Sequence, residues 1–256
     1  MISILLALAA QAAATPPAPG SDEAQLRDCI SVVEAAPDKA VAAANGWRIK
    51  GGGLPARQCL GLAYVALGRW APAATAFEQA AMEAETLRDS GRADFWAQAG
   101  NAWLAGGEPI KARKAFDAAL ATTLLTPELR GEVHLDRARA GAALGDTASA
   151  RADLDKGLEL VPADPFGWYL SSALALREEN LARAQDDIAH AMQLAPDDAD
   201  VLLQAGTVAG ISGEVEAARS FYERAAKAAP DSPSGKAAAK ALAANDIAVP
   251  DPASNR

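Results

Sequence analysis

Small and large hydrophobic residues recur along most of this chain at a nearly constant interval. Pro162, Pro196 and Pro230 close similar segments and stand 34 residues apart. If this proline is position 32 of a repeat, five repeats begin at Leu54, Ala93, Gly131, Pro165 and Ala199. The first two repeats lack the proline and are a few residues longer. A period of this length indicates one supersecondary unit that has been copied and stacked.

The columns of the repeat predict two helices per unit. Positions 8, 20 and 27 are small, whereas position 24 is large and is expected to fill the space between neighbouring repeats. Positions 20, 24 and 27 share one helical face because they are four and three residues apart. Position 15 is glycine in four repeats, with Glu179 as the exception, and predicts a left-handed residue that ends the first helix. Proline ends the second helix, and Asp164, Asp198 and Asp231 are expected to cap the next one.

This pattern resembles the tetratricopeptide repeat family, whose motif has a tryptophan-like residue at position 4 and an aromatic residue at position 11. Trp96 and Trp168 occupy position 4, and Tyr64 and Trp103 occupy position 11. The small residues at positions 8, 20 and 27, the large residue at 24 and the proline at 32 also match. The resemblance implies an all-α fold, a right-handed α-solenoid of stacked antiparallel helix pairs. It also implies a protein that binds partners and does not catalyse a reaction.

The segments outside the repeats complete the expected organisation. Residues 1–14 are uncharged and mainly apolar and end in small residues, which is typical of a cleaved signal peptide and indicates a periplasmic or secreted protein. A retained anchor and a buried or disordered N-terminus remain alternatives. The other expected segments are a linker at 15–21, an N-terminal helical pair at 22–53, repeats at 54–92, 93–130, 131–164, 165–198 and 199–232, a capping helix at 233–246 and a disordered tail at 247–256.

The two cysteines are Cys29, in the N-terminal pair, and Cys59, in the first repeat. In an exported protein we expect them to form a disulfide, since such compartments allow disulfides to persist. Closing a loop of about 30 residues would stabilise the fold by roughly 3–4 kcal/mol. The alternative is two buried free thiols. Two cysteines without a nearby histidine do not predict a zinc site.

Composition and charge limit the class of function. Half of the residues are hydrophobic, mostly alanine and leucine, and only 5% are aromatic, which favours closely packed helices. The net charge of −9 argues against nucleic acid, because phosphate binding needs clustered basic residues. The sequence shows neither a glycine-rich phosphate loop nor an arranged catalytic set. We therefore expect no catalytic residue, no cofactor and no metal, and a protein that is not an enzyme.

The remaining titratable residues have structural interpretations. His134 stands at position 4, where the repeat packs a bulky side chain, and His190 is expected to face solvent. The acidic group Asp197, Asp198 and Asp200 lacks the spacing of a calcium loop and is expected to cap a helix. Four aspartates next to position 24 are expected on a solvated outer face: Asp153, Asp155, Asp186 and Asp187.

The family resemblance implies a concave binding groove formed by positions 2, 5, 6, 9, 12 and 13 of the first helices. The candidate groove residues are Gln58, Asp94, Gln98, Asn101, Glu132, Asp136, Arg139, Tyr169, Arg177, Gln204 and Thr207. A clamp for a terminal carboxylate is not expected, because Ala97 and Asp136 replace its basic and amide residues. The predicted function is binding of a peptide or protein in this groove. The alternative is a subunit or assembly factor of a cell-envelope complex that docks through its convex face or its ends.

Overall fold

The computed structural model describes residues 20–123 and 125–245, and within them it contains thirteen α-helices and no strand. The predicted signal peptide, most of the linker and the C-terminal tail lie outside the described residues. The helices are α1 Asp22–Ala35, α2 Pro37–Ile49, α3 Gly53–Ala66, α4 Trp70–Leu87, α5 Arg92–Ala105, α6 Pro109–Leu120, α7 Pro127–Ala143, α8 Thr147–Leu160, α9 Pro165–Arg177, α10 Leu181–Leu194, α11 Ala199–Ile211, α12 Val215–Ala228 and α13 Pro233–Asn245. The predicted all-α fold of paired helices is confirmed.

The described chain divides into two compact units, and the division falls within α8, between Asp153 and Leu154. In the first unit each helix from α3 to α6 packs against the next one along the chain. In the second unit α9 to α13 follow the same order. The first helices of neighbouring repeats also touch directly, α5 with α7 and α9 with α11. No helix among the described residues combines the length and the hydropathy that a membrane span requires.

Every first helix of the five repeats ends on a residue with positive φ at position 15. Gly68, Gly107, Gly145 and Gly213 have φ between +65° and +80°, as the sequence predicts. Glu179 adopts the same conformation with a φ of +58°. The turn therefore keeps its left-handed shape even where a side chain makes that shape costly.

The expected helix caps are confirmed at two places and wrong at a third. The carboxylate of Asp164 accepts the N–H of Phe166, and that of Asp198 accepts the N–H groups of Asp200 and Val201. The hydroxyl of Ser232, and not Asp231, caps α13 by accepting the N–H of Gly235 at 3.0 Å. The reason is spacing, since Ser232 directly precedes the first helical residue and Asp231 lies one residue too early.

The large residue at position 24 packs against the first helix of its own repeat as well as in the shared core. A Cβ atom added to Gly61 would lie 2.4 Å from the Phe77 ring, and Gly100 stands in the same relation to Phe116. Gly206 leaves the corresponding space for Tyr222. Small residues at position 8 therefore make room for an aromatic ring between the two helices of one pair.

A disulfide joins Cys29 of α1 to Cys59 of α3, with Cα atoms 6.2 Å apart. This is the pairing that the sequence predicts. Both cysteines belong to one cluster that also contains Ala40 and Ala44 of α2. The N-terminal helical pair is thus attached to the first repeat by packing and by one covalent bond.

Candidate binding surface on the first helices

The eleven candidate groove residues all lie on the first helices of the repeats, and each of them is at least partly exposed. Within each of the two units, we call the surface formed by positions 2, 5, 6, 9, 12 and 13 of its first helices the first-helix face. In the first unit this face includes Gln58 on α3, Asp94, Gln98 and Asn101 on α5, and Glu132, Asp136 and Arg139 on α7. In the second unit it includes Tyr169 and Arg177 on α9, and Gln204 and Thr207 on α11.

Three of the candidates meet between α5 and α7. Asn101 donates from Nδ2 to Asp136 Oδ2 at 2.6 Å. Arg139 donates from Nη1 to Asp136 Oδ1 at 2.9 Å and, more weakly, to Asn101 Oδ1 at 3.4 Å. The guanidinium of Arg139 is thus already paired with a carboxylate on its own helix. The arrangement leaves this arginine poorly suited to clamp the carboxylate of a partner.

The polar candidates of α5 form one stripe along the helix. Asp94, Gln98 and Asn101 are four and three residues apart and therefore share one helical face. The side-chain oxygen of Gln98 is buried and has no donor among the described residues. An unsatisfied buried acceptor costs about 1–3 kcal/mol. Partial burial of the carboxyl group raises the pKa of Asp94, and a backbone hydrogen bond offsets this only in part.

The candidates of the second unit are held differently. Tyr169 stacks on Phe166 with ring centroids 5.8 Å apart. Gln204 reaches the hydroxyl of Ser172 at 3.4 Å, whereas the hydroxyl of Thr207 is satisfied by the carbonyl of Leu203 within its own helix. Gln204 and Thr207 therefore make separate contacts and do not form a joint cluster like that between α5 and α7.

One residue of this face was missed in the sequence analysis. Phe166 stands at position 2 of the fourth repeat and is 40% exposed beside Tyr169. Its position belongs to the same set that selected Asp94 and Glu132, so the repeat numbering contained the signal. An aromatic pair at the surface, with Phe166 exposed and Tyr169 partly exposed, offers a partner a large contact area with little loss of conformational entropy.

A second polar cluster lies where α6, α7 and α8 meet. Arg137 donates to both oxygens of Asp153 at 2.9 and 2.7 Å and to Asp117 at 2.7 Å. His134 lies 2.9 Å from the same Asp153 carboxylate. The cluster borders a cavity of about 250 Å³ lined by Arg113, Asp117, Arg137, Ser149, Ala152 and Asp153.

The expected solvated position of Asp153 is wrong, because the residue is only 7% exposed. Burial alone would raise the pKa of Asp153, but hydrogen bonds and charge from His134 and Arg137 together hold it below the usual value. The structural interpretation of His134 agrees with this contact. The buried carboxylate is tolerated because its oxygens are hydrogen-bonded and its charge is compensated.

Asp187 occupies the position of Asp153 in the next repeat, and it is also buried and not solvated as expected. It is 4% exposed and accepts a hydrogen bond from Ser171 at 2.5 Å. Asp155 and Asp186 are exposed, as predicted. His190 is exposed as well, and its ring stacks on Trp168 at 4.4 Å between centroids.

The described residues contain no group of three or more His, Cys, Asp or Glu side chains arranged to hold a metal ion. The aspartates at residues 197–200 cap a helix or contact neighbouring side chains. Asp198 caps α11, and Asp197 lies 3.5 Å from Arg224. Asp200 accepts a hydrogen bond from Ser234. Each of these three aspartates therefore contacts groups of the protein itself.

Residues 199–232, which hold α11 and α12, match the family model of the tetratricopeptide repeat. This segment of the chain is a tetratricopeptide repeat. The fold of the chain is similar to that of PilF from Pseudomonas aeruginosa, with 17% identity, a TM-score of 0.67, and coverage of 86% of this chain and 97% of PilF. PilW, a type IV pilus biogenesis factor, is 20% identical with a TM-score of 0.68, covering 86% of this chain and 99% of PilW. At these identities the likeness shows the fold.

Two further proteins are similar to shorter stretches of this chain. YrrB, a repeat protein with an unusual peptide-binding site, is 19% identical with a TM-score of 0.50, over 72% of this chain and 91% of YrrB. Protein O-mannosyl-transferase TMTC1 of Homo sapiens is 37% identical over 83 residues, or 31% of this chain. The match spans only 9% of the length of that curated relative.

Proposed function

We propose that this chain is a non-catalytic scaffold that binds a peptide or protein partner along its first-helix face. The fold is one that serves protein–protein interaction in general, because stacked helix pairs make extended surfaces. The observation that carries the proposal is the distribution of side chains. The first helices combine partly exposed polar groups with an aromatic pair, the exposed Phe166 and the partly exposed Tyr169, whereas position 24 of the second helices is used for packing.

We propose further that the protein works in the periplasm or outside the cell. The apolar segment at the N-terminus and the pairing of Cys29 with Cys59 support this location. TMTC1 is named a transferase, but a match to 9% of its length does not extend that activity to this chain. We therefore propose no reaction.

Site-specific photo-crosslinking tests the binding surface. A photoreactive phenylalanine derivative is introduced singly at Tyr169 and Thr207 on the first-helix face, and at Asp186 on α10 as the matched control. Under irradiation of the producing cells we expect a discrete crosslinked partner from positions 169 and 207 and none from position 186. Crosslinks confined to position 186 would instead favour docking of an envelope subunit through another surface.

Alanine substitutions give an independent measurement. Tyr169→Ala and Arg139→Ala should each weaken recovery of the crosslinked partner, because both residues lie on the first-helix face. Asp186→Ala should leave recovery unchanged. Equal recovery from all three variants would contradict a role of this face in binding.

A further inference from the structure

The first-helix face of the first unit carries more negative than positive charge. Three carboxylates lie on it, those of Asp94, Glu132 and Asp136, against the single guanidinium of Arg139. Arg139 is held by Asp136 at 2.9 Å, so its charge is compensated within the face. A cation in a partner would meet attraction here, and an acidic segment would meet repulsion.

Asp94 differs from the other two carboxylates. It is exposed in the first turn of α5 and forms no ion pair with any basic side chain of residues 20–123 and 125–245. A positive group of a partner placed beside it would therefore be attracted by a carboxylate whose charge no basic side chain of the described residues compensates.

One turn further along α5, Gln98 adds a neutral, partly exposed side chain to the same face. Its side-chain oxygen is buried without a donor in the described part of the chain, so a partner on the surface would meet the rest of the side chain and not this oxygen.

The same face offers apolar contact next to these residues. Leu62 and Val65 of α3 and Leu104 of α5 occupy positions 9 and 12 and are only partly buried against the core. They would accommodate the aliphatic part of a long basic side chain or an apolar neighbour of it.

We propose that the first-helix face of the first unit receives a basic peptide segment, with a lysine or arginine of the partner paired to Asp94. This inference rests on the proposed function and specifies the chemistry of the partner. A site for a basic segment has the opposite charge preference to a clamp for a terminal carboxylate. Ala97 and the Asp136–Arg139 pair disfavour such a clamp.

Two blocked peptides test the polarity. Both are acetylated and amidated twelve-residue peptides of serine, glycine and leucine, and they differ only in carrying three lysines or three glutamates. Fluorescence anisotropy with the full chain should show binding of the lysine peptide alone, weakening as salt is raised. Equal binding of the glutamate peptide, or no binding of either, would overturn the proposal.

Charge variants locate the contact. Asp94→Asn should weaken binding of the lysine peptide by about fivefold, and Asp94→Lys should transfer the preference to the glutamate peptide. Asp186→Asn removes the same charge from an exposed site on α10 and should have no effect. Equal effects of Asp94→Asn and Asp186→Asn would reduce the result to non-specific attraction by net charge and contradict the site.

The two proposals can fail separately. If positions 169 and 207 crosslink a partner but Asp94→Asn leaves lysine-peptide binding unchanged, binding by the first-helix face stands and the basic-segment inference falls. If the lysine peptide depends on Asp94 but no partner is crosslinked from either position, the polarity of the site stands and the proposed cellular function falls.

Discussion

At the scale of single residues, Glu179 is the clearest departure from the repeat. It occupies the position that glycine holds in the other four repeats and adopts a φ of +58°. A left-handed conformation costs a residue with a Cβ about 1–2 kcal/mol. Glycine would remove this strain, although it would also increase the entropy of the unfolded chain by about 0.4–1 kcal/mol. We expect Glu179→Gly to stabilise the protein by about 0.5–1 kcal/mol, measured as the shift of the urea unfolding midpoint.

The opposite change at an equivalent turn provides the control. Gly213 has a φ of +80°, and a Cβ added to it would meet no atom within 4 Å. Gly213→Ala therefore tests backbone conformation without a steric clash and should destabilise by about 1 kcal/mol. If Glu179→Gly were destabilising while Gly213→Ala behaved as expected, the Glu179 side chain would have to contribute a stabilising contact.

The residue scale also shows what the sequence could and could not predict. The columns at positions 8, 15 and 24 were correct because packing and backbone conformation restrict those positions in every repeat. The columns predict a small residue at Gly61 and a large one at Phe77, and the structure shows that the ring packs directly against this glycine. Asp153 and Asp187 were misplaced because a buried, compensated aspartate and a solvated one look identical in sequence.

At the scale of helices, a buried carboxylate takes the place of an apolar contact between α7 and α8. Position 23 is alanine in the first two repeats and aspartate in the third and fourth. Asp153 is held by Arg137 and His134 of α7, and Arg137 also reaches Asp117 of α6. One carboxylate therefore helps to fix three helices. The sequence could not predict this, since its partners are distant along the chain and only packing brings them together.

Asp153→Asn should lower stability by about 1–3 kcal/mol at neutral pH, because Arg137 and His134 lose a charged acceptor. The folded-state pKa of Asp153 lies below its ordinary value. A group with a depressed folded pKa stabilises above its unfolded pKa, near 3.9, and this contribution disappears as the pH falls through the folded value. The difference between wild type and variant should therefore shrink in acid, as measured by urea unfolding at pH 7, 5 and 3.

Asp155→Asn is the matched control for this experiment. Asp155 is exposed two residues further along the same helix and pairs with Arg183 near the surface. Its replacement should cost about 0.5 kcal/mol or less. A loss for Asp153→Asn that stayed constant from pH 7 to pH 3 would indicate a packing defect in place of a lost charge interaction.

At the scale of the whole molecule, periodicity predicts the architecture but not the partner. The repeat columns specify where helices begin, end and pack, and the family model matches one such repeat at residues 199–232. The residue types at the exposed positions of the first-helix face are not restricted by helix packing in this way. Their chemistry differs from repeat to repeat, from the paired Asp136 and Arg139 to the stacked Phe166 and Tyr169. The candidate residues could be located from the repeat numbering, whereas their mutual contacts required the structure.

Stability should also be distributed unevenly along the chain, and the N-terminal pair is the place to test this. Helix α1 has only three buried residues, Ala24, Cys29 and Val33, and Cys29 is bonded to Cys59 of α3. Closing a loop of this size stabilises by roughly 3–4 kcal/mol in the chain-entropy model. Replacing both cysteines with alanine should therefore make local opening of α1 and α2 more frequent. The more distant repeats should be affected little, because each stacked repeat depends mainly on its nearest neighbours.

Hydrogen exchange measures this opening helix by helix. In the Cys29→Ala/Cys59→Ala variant we expect amides of α1 and α2 to exchange at least tenfold faster, while those of α5 and α6 keep their protection. Treating the wild-type chain with a thiol reductant should give the same pattern without any substitution. If α5 and α6 exchanged faster to the same degree as α1, this prediction would be wrong. Loss of the bond would then open helices that the N-terminal pair does not touch, and the disulfide would stabilise the first unit as one cooperative body.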